Sequence, residues 1–363
     1  MSHPPTSGRR RRVFLGALGV AMALAFAACS SSDEPASEPP PTTEEQPTTT
    51  PTTAEPSEEP GAAASTTTAA PATTTSLRTE PLTVTDAFGN EVTVPAVPTR
   101  VFAGDDTSLA NLLDLGVVPI GTAVNRNAVP AFLGDRLDGI VDLSADNGLG
   151  INIEAMAALE PDLIIGPGTT LLELQYGLAS EVAPTYAYRY GYSSSEEIRT
   201  NLTDVAVVLG LEDRAAEILA DLDARIADMR DRLANSDAAD TTVSVVRIFR
   251  DGSGISLRHG TTESVMMNEI GVTRPPNQRS IEDFATSLSL ETLDQADADV
   301  IFVYLDDPED PAVYDEMREN PLWQTLGAVQ NDRVYTVDGG VWNGISIAAA
   351  HLILDDLEAT LGF

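Results

Sequence analysis

The 363-residue sequence predicts an α/β protein of two lobes with parallel sheets, joined by one long α-helix, with a cleft between the lobes. Two observations predict it. The first is the stretch from Glu212 to Arg232, EDRAAEILADLDARIADMRDR. With Leu233 just beyond it, its apolar residues Ile218, Leu222, Ile226 and Met229 recur in steps of four, four, three and four. That spacing draws one narrow apolar stripe down a helix. Neither Gly nor Pro interrupts it, and residues 212–234 would run about 34 Å. The second observation is an echo on either side of this helix. Ile153 to Ile165 (IEAMAALEPDLII) aligns with Leu290 to Phe302 (LETLDQADADVIF), an offset of 137 positions. Apolar meets apolar at 153/290, 156/293, 163/300, 164/301 and 165/302, and Glu154/Glu291 and Asp162/Asp299 are identical. LDLGV (Leu113 to Val117) is echoed by NEIGV (Asn268 to Val272). Each long copy reads as a short helix feeding a buried strand, so one supersecondary unit is used twice around a spine.

Taken in order, residues 1–28 read as a signal peptide. Arg9 to Arg12 give a positive start, and Val13 to Ala28 an apolar run too short for a comfortable membrane span. Arg11-Arg12-Val13-Phe14-Leu15 also fits a twin-arginine export signal, which leaves the export route open. Residues 29–79 are rich in Ser, Thr, Pro and Ala and bury too little apolar area to offset chain entropy, so a disordered tether is expected. Residues 80–195 are expected as the N-terminal lobe, 196–236 as the linking helices, and 237–363 as the C-terminal lobe with a closing helix.

In the N-terminal lobe Leu82 to Val94 alternates around Gly89-Asn90, a hairpin signature. Strands follow at Arg100 to Ala103, Val117 to Val124, Asp162 to Gly166 and Pro184 to Tyr188. Helices are expected at Thr107 to Leu115, ended by Gly116, and after the cap Asn152. Ser195 caps a helix stopped by Gly210. Beyond the spine come strands at Thr242 to Phe249 and Ile255 to Arg258, separated by the turn Asp251 to Gly254, and a helix at Ser264 to Ile270. Then follow the strand Asp299 to Leu305, a helical Pro321 to Ala328, the strand Arg333 to Val337 and a last helix from Ile345 to Leu361. Strands alternating with helices make the lobes Rossmann-like, with ligands beyond the carboxyl ends of the strands.

The chain carries 56 acidic residues against 21 basic ones, every one of them Arg, for a net charge of −35. That field argues against nucleic-acid binding. It also means that an anionic ligand needs a local arginine cluster. The single Cys, Cys29, leaves no disulfide to support the fold.

Several stretches resemble the ferric-siderophore (iron(III) dicitrate type) substrate-binding lipoproteins of ABC importers, the periplasmic binding proteins whose two lobes are linked by a long helix. They are VTDAFGNEVTVP, LLDLGVVPIG, NIEAMAALEPDLIIG, EDRAAEILADLDARI, VSVVRIF, GVTRPPNQ, SLETLDQADADVIFV and NPLWQTLGAVQNDRVYTVD. Their order from Leu82 to Leu361 carries the match, since none is diagnostic alone. The resemblance implies an exported monomer on the outer face of the cell membrane, without catalysis, that delivers a chelated cargo to an ABC permease dimer. Cys29 after Ala27-Ala28 is similar to the lipobox cysteine that is acylated as an anchor, with Phe26 where Leu is usual.

Under this resemblance Glu154 and Glu291 dock the two permease subunits. A first-turn Glu that complements a helix dipole is the plainer reading of each. For an anionic ferric chelate the expected contacts are Arg and aromatic side chains at strand ends: Arg126, Tyr188, Arg189, Tyr190, Arg247, Arg250, Arg258, Tyr304 and Trp342. For each Arg a surface salt bridge is the alternative. Glu263 departs from the family, where an aromatic or Arg is common nearby. His259 and His351 lack metal-site spacing, so iron is expected to arrive with its own ligands and no cofactor is called for. Haem or a corrinoid is the alternative cargo. An α/β hydrolase-like enzyme is the alternative class. Gly344-Ile345-Ser346-Ile347-Ala348 is near a nucleophile elbow, but His351 follows Ser346 too closely on one helix. Gly166-Pro167-Gly168 lacks the third Gly of a dinucleotide turn.

Overall fold

The computed structural model describes residues 78–363 except 125–129, 145–149, 250–253, 281–283 and 308–310. The leader 1–28, Cys29, the tether as far as residue 77, Arg126, Arg250 and most of the turn at 251–254 lie outside the described residues.

The described chain opens with the expected hairpin. β1 (Leu82–Thr85) and β2 (Glu91–Val94) pair antiparallel, Leu82 opposite Val94. Asp86 Oδ1 accepts from the backbone N–H groups of Phe88 and Asn90 at 3.0 and 2.8 Å, which fixes the turn, and Gly89 supplies the φ of +84° that it needs.

The N-terminal lobe is a parallel sheet in the order β5-β4-β3-β6-β7. Its strands are β3 (Val101–Ala103), β4 (Gly121–Thr122), β5 (Val141–Asp142), β6 (Leu163–Pro167) and β7 (Thr185–Tyr188). Helices α1 (Asp106–Asp114), α2 (Ile153–Ala158) and α3 (Thr170–Val182) run between them. α4 (Ser195–Leu209) ends at Gly210, left-handed at φ +70°, and α5 (Glu212–Ala234) is the long spine. Leu222, Ile226, Met229 and Leu233 of its stripe are buried, and Ile218 is half-buried against the same core.

The C-terminal lobe repeats this layout in the order β10-β9-β8-β11-β12. It comprises β8 (Val243–Ile248), β9 (Ile255–Arg258), β10 (Ala285–Leu288), β11 (Val300–Leu305) and β12 (Val334–Thr336). Its helices are α6 (Thr262–Ile270), α7 (Ala312–Glu319), α8 (Gly327–Gln330), α9 (Gly339–Trp342) and the closing α10 (Ile347–Leu361). The duplication is visible as one clasp used twice. Asp162 Oδ2 accepts from Thr99 N and Oγ1 at 2.8 and 2.9 Å, and Asp299 Oδ2 accepts from Thr242 N and Oγ1 at 2.8 and 2.6 Å. Each Asp ties the start of one central strand to the start of its parallel neighbour.

Two expectations need correction. The C-terminal sheet is mixed: β9 runs antiparallel to β8, and β10 antiparallel to β9. A parallel return needs a crossover of a dozen or more residues, and only residues 249–254 separate β8 from β9. The second concerns Glu291, which does not stand in the first turn of an α-helix. Ser289 N donates to Thr292 Oγ1 at 3.0 Å, and this local turn leaves room only for a 3₁₀ segment, Leu293–Ala296. Glu154 does stand in the first turn of α2, behind the cap Asn152, and both glutamates are exposed.

Strands buried on both faces divide their side chains by parity. Val101, Ala103, Leu163, Ile165, Val243, Val245, Val300 and Phe302 join one core that also contains the α5 stripe. Phe102 and Ile164 belong to a separate N-lobe cluster, and Val246, Ile248, Ile301 and Val303 to a C-lobe one. The large shared core runs through the spine from lobe to lobe.

Candidate functional site

A cavity of about 220 Å³ opens between the lobes. From the N-terminal lobe it is lined by Tyr190 and Tyr192, and from the C-terminal lobe by Arg258, Thr261, Thr262, Glu263, Phe284, Asn343 and Ile345. A second space of about 280 Å³ shares Tyr190, Tyr192 and Phe284 and adds Ser193, Glu197 and Gly260.

The tyrosines arrive there because the chain beyond β7 keeps alternating. Tyr188 points into the core, Arg189 out to Asp204, and Tyr190 and Tyr192 to the cavity. Asn201 holds this extended segment: its Oδ1 accepts from Gly191 N at 3.0 Å and its Nδ2 donates to Gly191 O at 2.6 Å. Tyr190 and Tyr192 meet edge-on at 5.8 Å between centroids, and Tyr192 meets Phe284 at 5.3 Å across the cavity.

Arg258 ends β9 and is 1% exposed. Its guanidinium carbon lies 3.9 Å from the Phe284 ring centroid, and Nη2 donates to Asn343 Oδ1 at 3.3 Å. Nε stands 3.5 Å from Glu263 Oε1, an ion pair without hydrogen-bond alignment, so Nε and Nη1 both lack a hydrogen-bond partner among the described residues. Behind it Arg274 donates through Nη2 to Arg258 O and to Gln278 Oε1, both at 2.7 Å. Burial pulls the Arg274 pKa down to about 10, against the opposing pull of Glu263. The site therefore offers directional N–H donors beside aromatic faces, suited to anionic oxygens on a rigid ligand.

Among the expected contacts that are described, Tyr190 and Arg258 come together here, while Tyr188, Arg189, Arg247, Tyr304 and Trp342 are not in the cavity lining; Arg126 and Arg250 lie outside the described residues. Arg189 pairs with Asp204 and its side chain is 73% exposed. Arg247 donates through Nε and Nη2 to Asp306 at 2.8 and 2.7 Å and stacks on Phe249. Tyr188 is buried near Ser108, and burial, then Asp105, raises its phenol pKa. Tyr304 is likewise buried, in register with Arg247 on the sheet, its phenol raised by burial and then by Glu263. Trp342, expected to stack on cargo, is a core residue. It is 0% exposed and packs on Phe302 at 4.5 Å, and its Nε1 donates to Asp356 at 2.7 Å.

The expected set omits Tyr192 and Phe284. Tyr192 shares the alternation of Tyr190, a signal that was available; Phe284 stands just before β10 with no pattern around it. His259 is hydrogen-bonded at both ring nitrogens, to Ser280 O and Thr286 Oγ1. Among the described residues no group of three or more His, Cys, Asp or Glu is placed to hold a metal ion.

Comparison with known proteins fits this architecture. Residues 101–340 match the periplasmic binding protein family. The chain is 30% identical over 289 residues to the "Probable siderophore-binding lipoprotein YfiY" of Bacillus subtilis, covering 76% of this chain and 86% of that one. It is 26% identical to the siderophore periplasmic binding protein from the fuscachelin gene cluster of Thermobifida fusca, with a TM-score of 0.61 over 74% of this chain and 98% of that one. Staphylococcus aureus SirA complexed with staphyloferrin B is alike in fold, with a TM-score of 0.66 and 23% identity over 77% of this chain and 98% of that one. With the family's match spanning most of both lobes and the spine between them, the chain belongs to the periplasmic binding protein family.

Proposed function

We propose that this protein is a lipid-anchored substrate-binding protein that captures a ferric siderophore between its lobes and delivers it to the permease of an ABC importer. The observation that carries the reading is Arg258, buried at the cavity with two nitrogens that have no hydrogen-bond partner among the described residues and with Tyr190, Tyr192 and Phe284 beside it. A ferric siderophore presents anionic oxygens on a bulky, partly apolar body, and charge-assisted donors with aromatic walls match both. The names of the relatives point the same way, and family and neighbours alike are binding proteins. Iron reaches the cleft already chelated and is cargo. Cys29 supplies the membrane anchor, and the exposed Glu154 and Glu291 present one acidic contact from each lobe to the permease.

The test is isothermal titration calorimetry against ferric siderophores of hydroxamate, catecholate and citrate type, with haem and cobalamin alongside. Tryptophan emission is a poor reporter because Trp323 and Trp342 are buried outside the cavity lining; tyrosine emission from Tyr190 and Tyr192 is the better optical signal. At least one ferric siderophore should bind at micromolar concentration or below. Tight binding of haem or cobalamin alone would redirect the cargo assignment.

A further inference from the structure

The cavity floor carries an acid that an anion receptor does not need. Glu263, the second residue of α6, is 0% exposed, and it lines the cavity beside Arg258. Neither of its carboxylate oxygens has a hydrogen-bond partner among the described residues, and its 3.5 Å approach to Arg258 Nε lacks hydrogen-bond alignment. Tyr304, whose hydroxyl also lacks a partner among the described residues, and the buried Arg274 stand close enough to feel its charge.

A carboxylate so placed acts on cargo in two ways. Away from water, a second carboxylate brought against it is repelled far more strongly than at the surface, while a cationic N–H group is attracted. Two uncommitted acceptor oxygens also leave a cost that a ligand donor can remove. Arg258 and Glu263 together form a floor with one donor half and one acceptor half, and it fits a ligand edge on which an anionic oxygen and a cationic nitrogen lie side by side.

Resting on the ferric-siderophore reading, we propose that Glu263 is a specificity-determining residue that selects ferric siderophores bearing a protonated amine next to the chelating oxygens and rejects chelates whose periphery is carboxylate alone. Arg258 takes the anionic oxygen, Glu263 accepts from the ammonium, and Phe284 covers the guanidinium face. The selection is by charge pattern, so it acts on hydroxamate, catecholate and citrate chelators alike.

The experiment titrates the full chain with matched pairs of ferric chelates. One hydroxamate, one catecholate and one citrate-based chelator are each made with a pendant primary amine and with that amine acetylated. The wild-type protein should prefer the amine form of whichever chelators it binds, by about tenfold or more. Glu263→Gln should erase that preference and tighten binding of the carboxylate-only complex, ferric dicitrate. Melting temperatures and a Glu263→Asp variant, which keeps the charge and the preference, separate this from loss of fold. If Glu263→Gln does not fold, the wild-type ratio within each pair still decides. Equal wild-type affinity for the two members of a pair overturns the proposal, as does a uniform effect of Glu263→Gln on every chelate. Failure of the wild type to bind any ferric chelate instead overturns the siderophore reading on which it rests.

Discussion

Arg247→Ala separates a structural arginine from a cargo-binding one. Arg247 meets Asp306 through two parallel hydrogen bonds of 2.8 and 2.7 Å, with the two side chains 16% and 19% exposed. Its guanidinium carbon lies 4.6 Å from the Phe249 ring centroid. Stranding one partner of a fully buried pair costs about 3–5 kcal/mol, and an exposed pair contributes up to about 1 kcal/mol. At this intermediate exposure the expected loss is about 2 kcal/mol, to which the lost stacking adds about 0.5–1 kcal/mol. Urea denaturation of wild type, Arg247→Ala, Asp306→Ala and the double variant measures it, and the double variant should be less destabilised than the two single losses added together. Titration with a bound ferric siderophore should give the same affinity for Arg247→Ala as for wild type. Unchanged stability with about tenfold weaker cargo binding would refute the assignment and place Arg247 in the binding site.

Three further outcomes follow from other parts of the molecule. Hydrogen bonds from Thr242 hold the Asp299 carboxyl below the usual carboxylate range, so its contribution to stability is present above the unfolded value near pH 4 and is lost as pH falls through the lower folded value. Asp299→Asn should therefore be less stable than wild type near neutrality and should converge with it in acid, as followed by thermal melts across pH. Glu154→Arg and Glu291→Arg should leave cargo affinity intact while abolishing uptake by cells; normal uptake would reduce both to surface charges. Cys29→Ser should move the protein from washed membranes to the soluble fraction, because the acylated Cys is the expected hydrophobic anchor.

The duplication was legible because its marks are local and chemical. An Asp at the foot of β6 and another at the foot of β11 do the same work in both lobes, and identical spacing exposes them. The spine was legible because its one-sided stripe has the period of a helix. Residues 170–182 show the opposite case. Leu172, Leu174, Tyr176 and Leu178 recur at every second position, the period of a strand, yet the segment forms α3 with Leu174 77% and Leu178 55% exposed. The direction of β9 depends on how short the β8–β9 connection is, which alternation of apolar residues does not encode.

The site was legible in part for similar reasons. Tyr190 follows from the rule that ligands gather beyond the carboxyl ends of parallel strands. Arg258 was named by the same rule, but β9 runs antiparallel to β8, so its place at the cavity has another origin, and the rule does not give the direction of a side chain. Arg247 sits on β8 at the parity of Val243 and Val245, and an acid across the sheet takes it up. Trp342 turns inward because α9 is a single turn against β11 and because Asp356 on α10 accepts from its indole N–H. Phe284 reaches the cavity from a segment far from Tyr192 in sequence, and only the packing of the two lobes brings them together.

The central claim is that cargo is held between the lobes at Arg258, and calorimetric titration of wild type and Arg258→Gln with the best-bound ferric siderophore tests it most directly. Loss of a charge-assisted donor in a desolvated site should weaken binding by about ten- to a hundredfold, with a folded variant verified by its melting transition. An Arg258→Gln protein that folds and binds the siderophore as tightly as wild type would contradict the account and move the cargo out of this cavity.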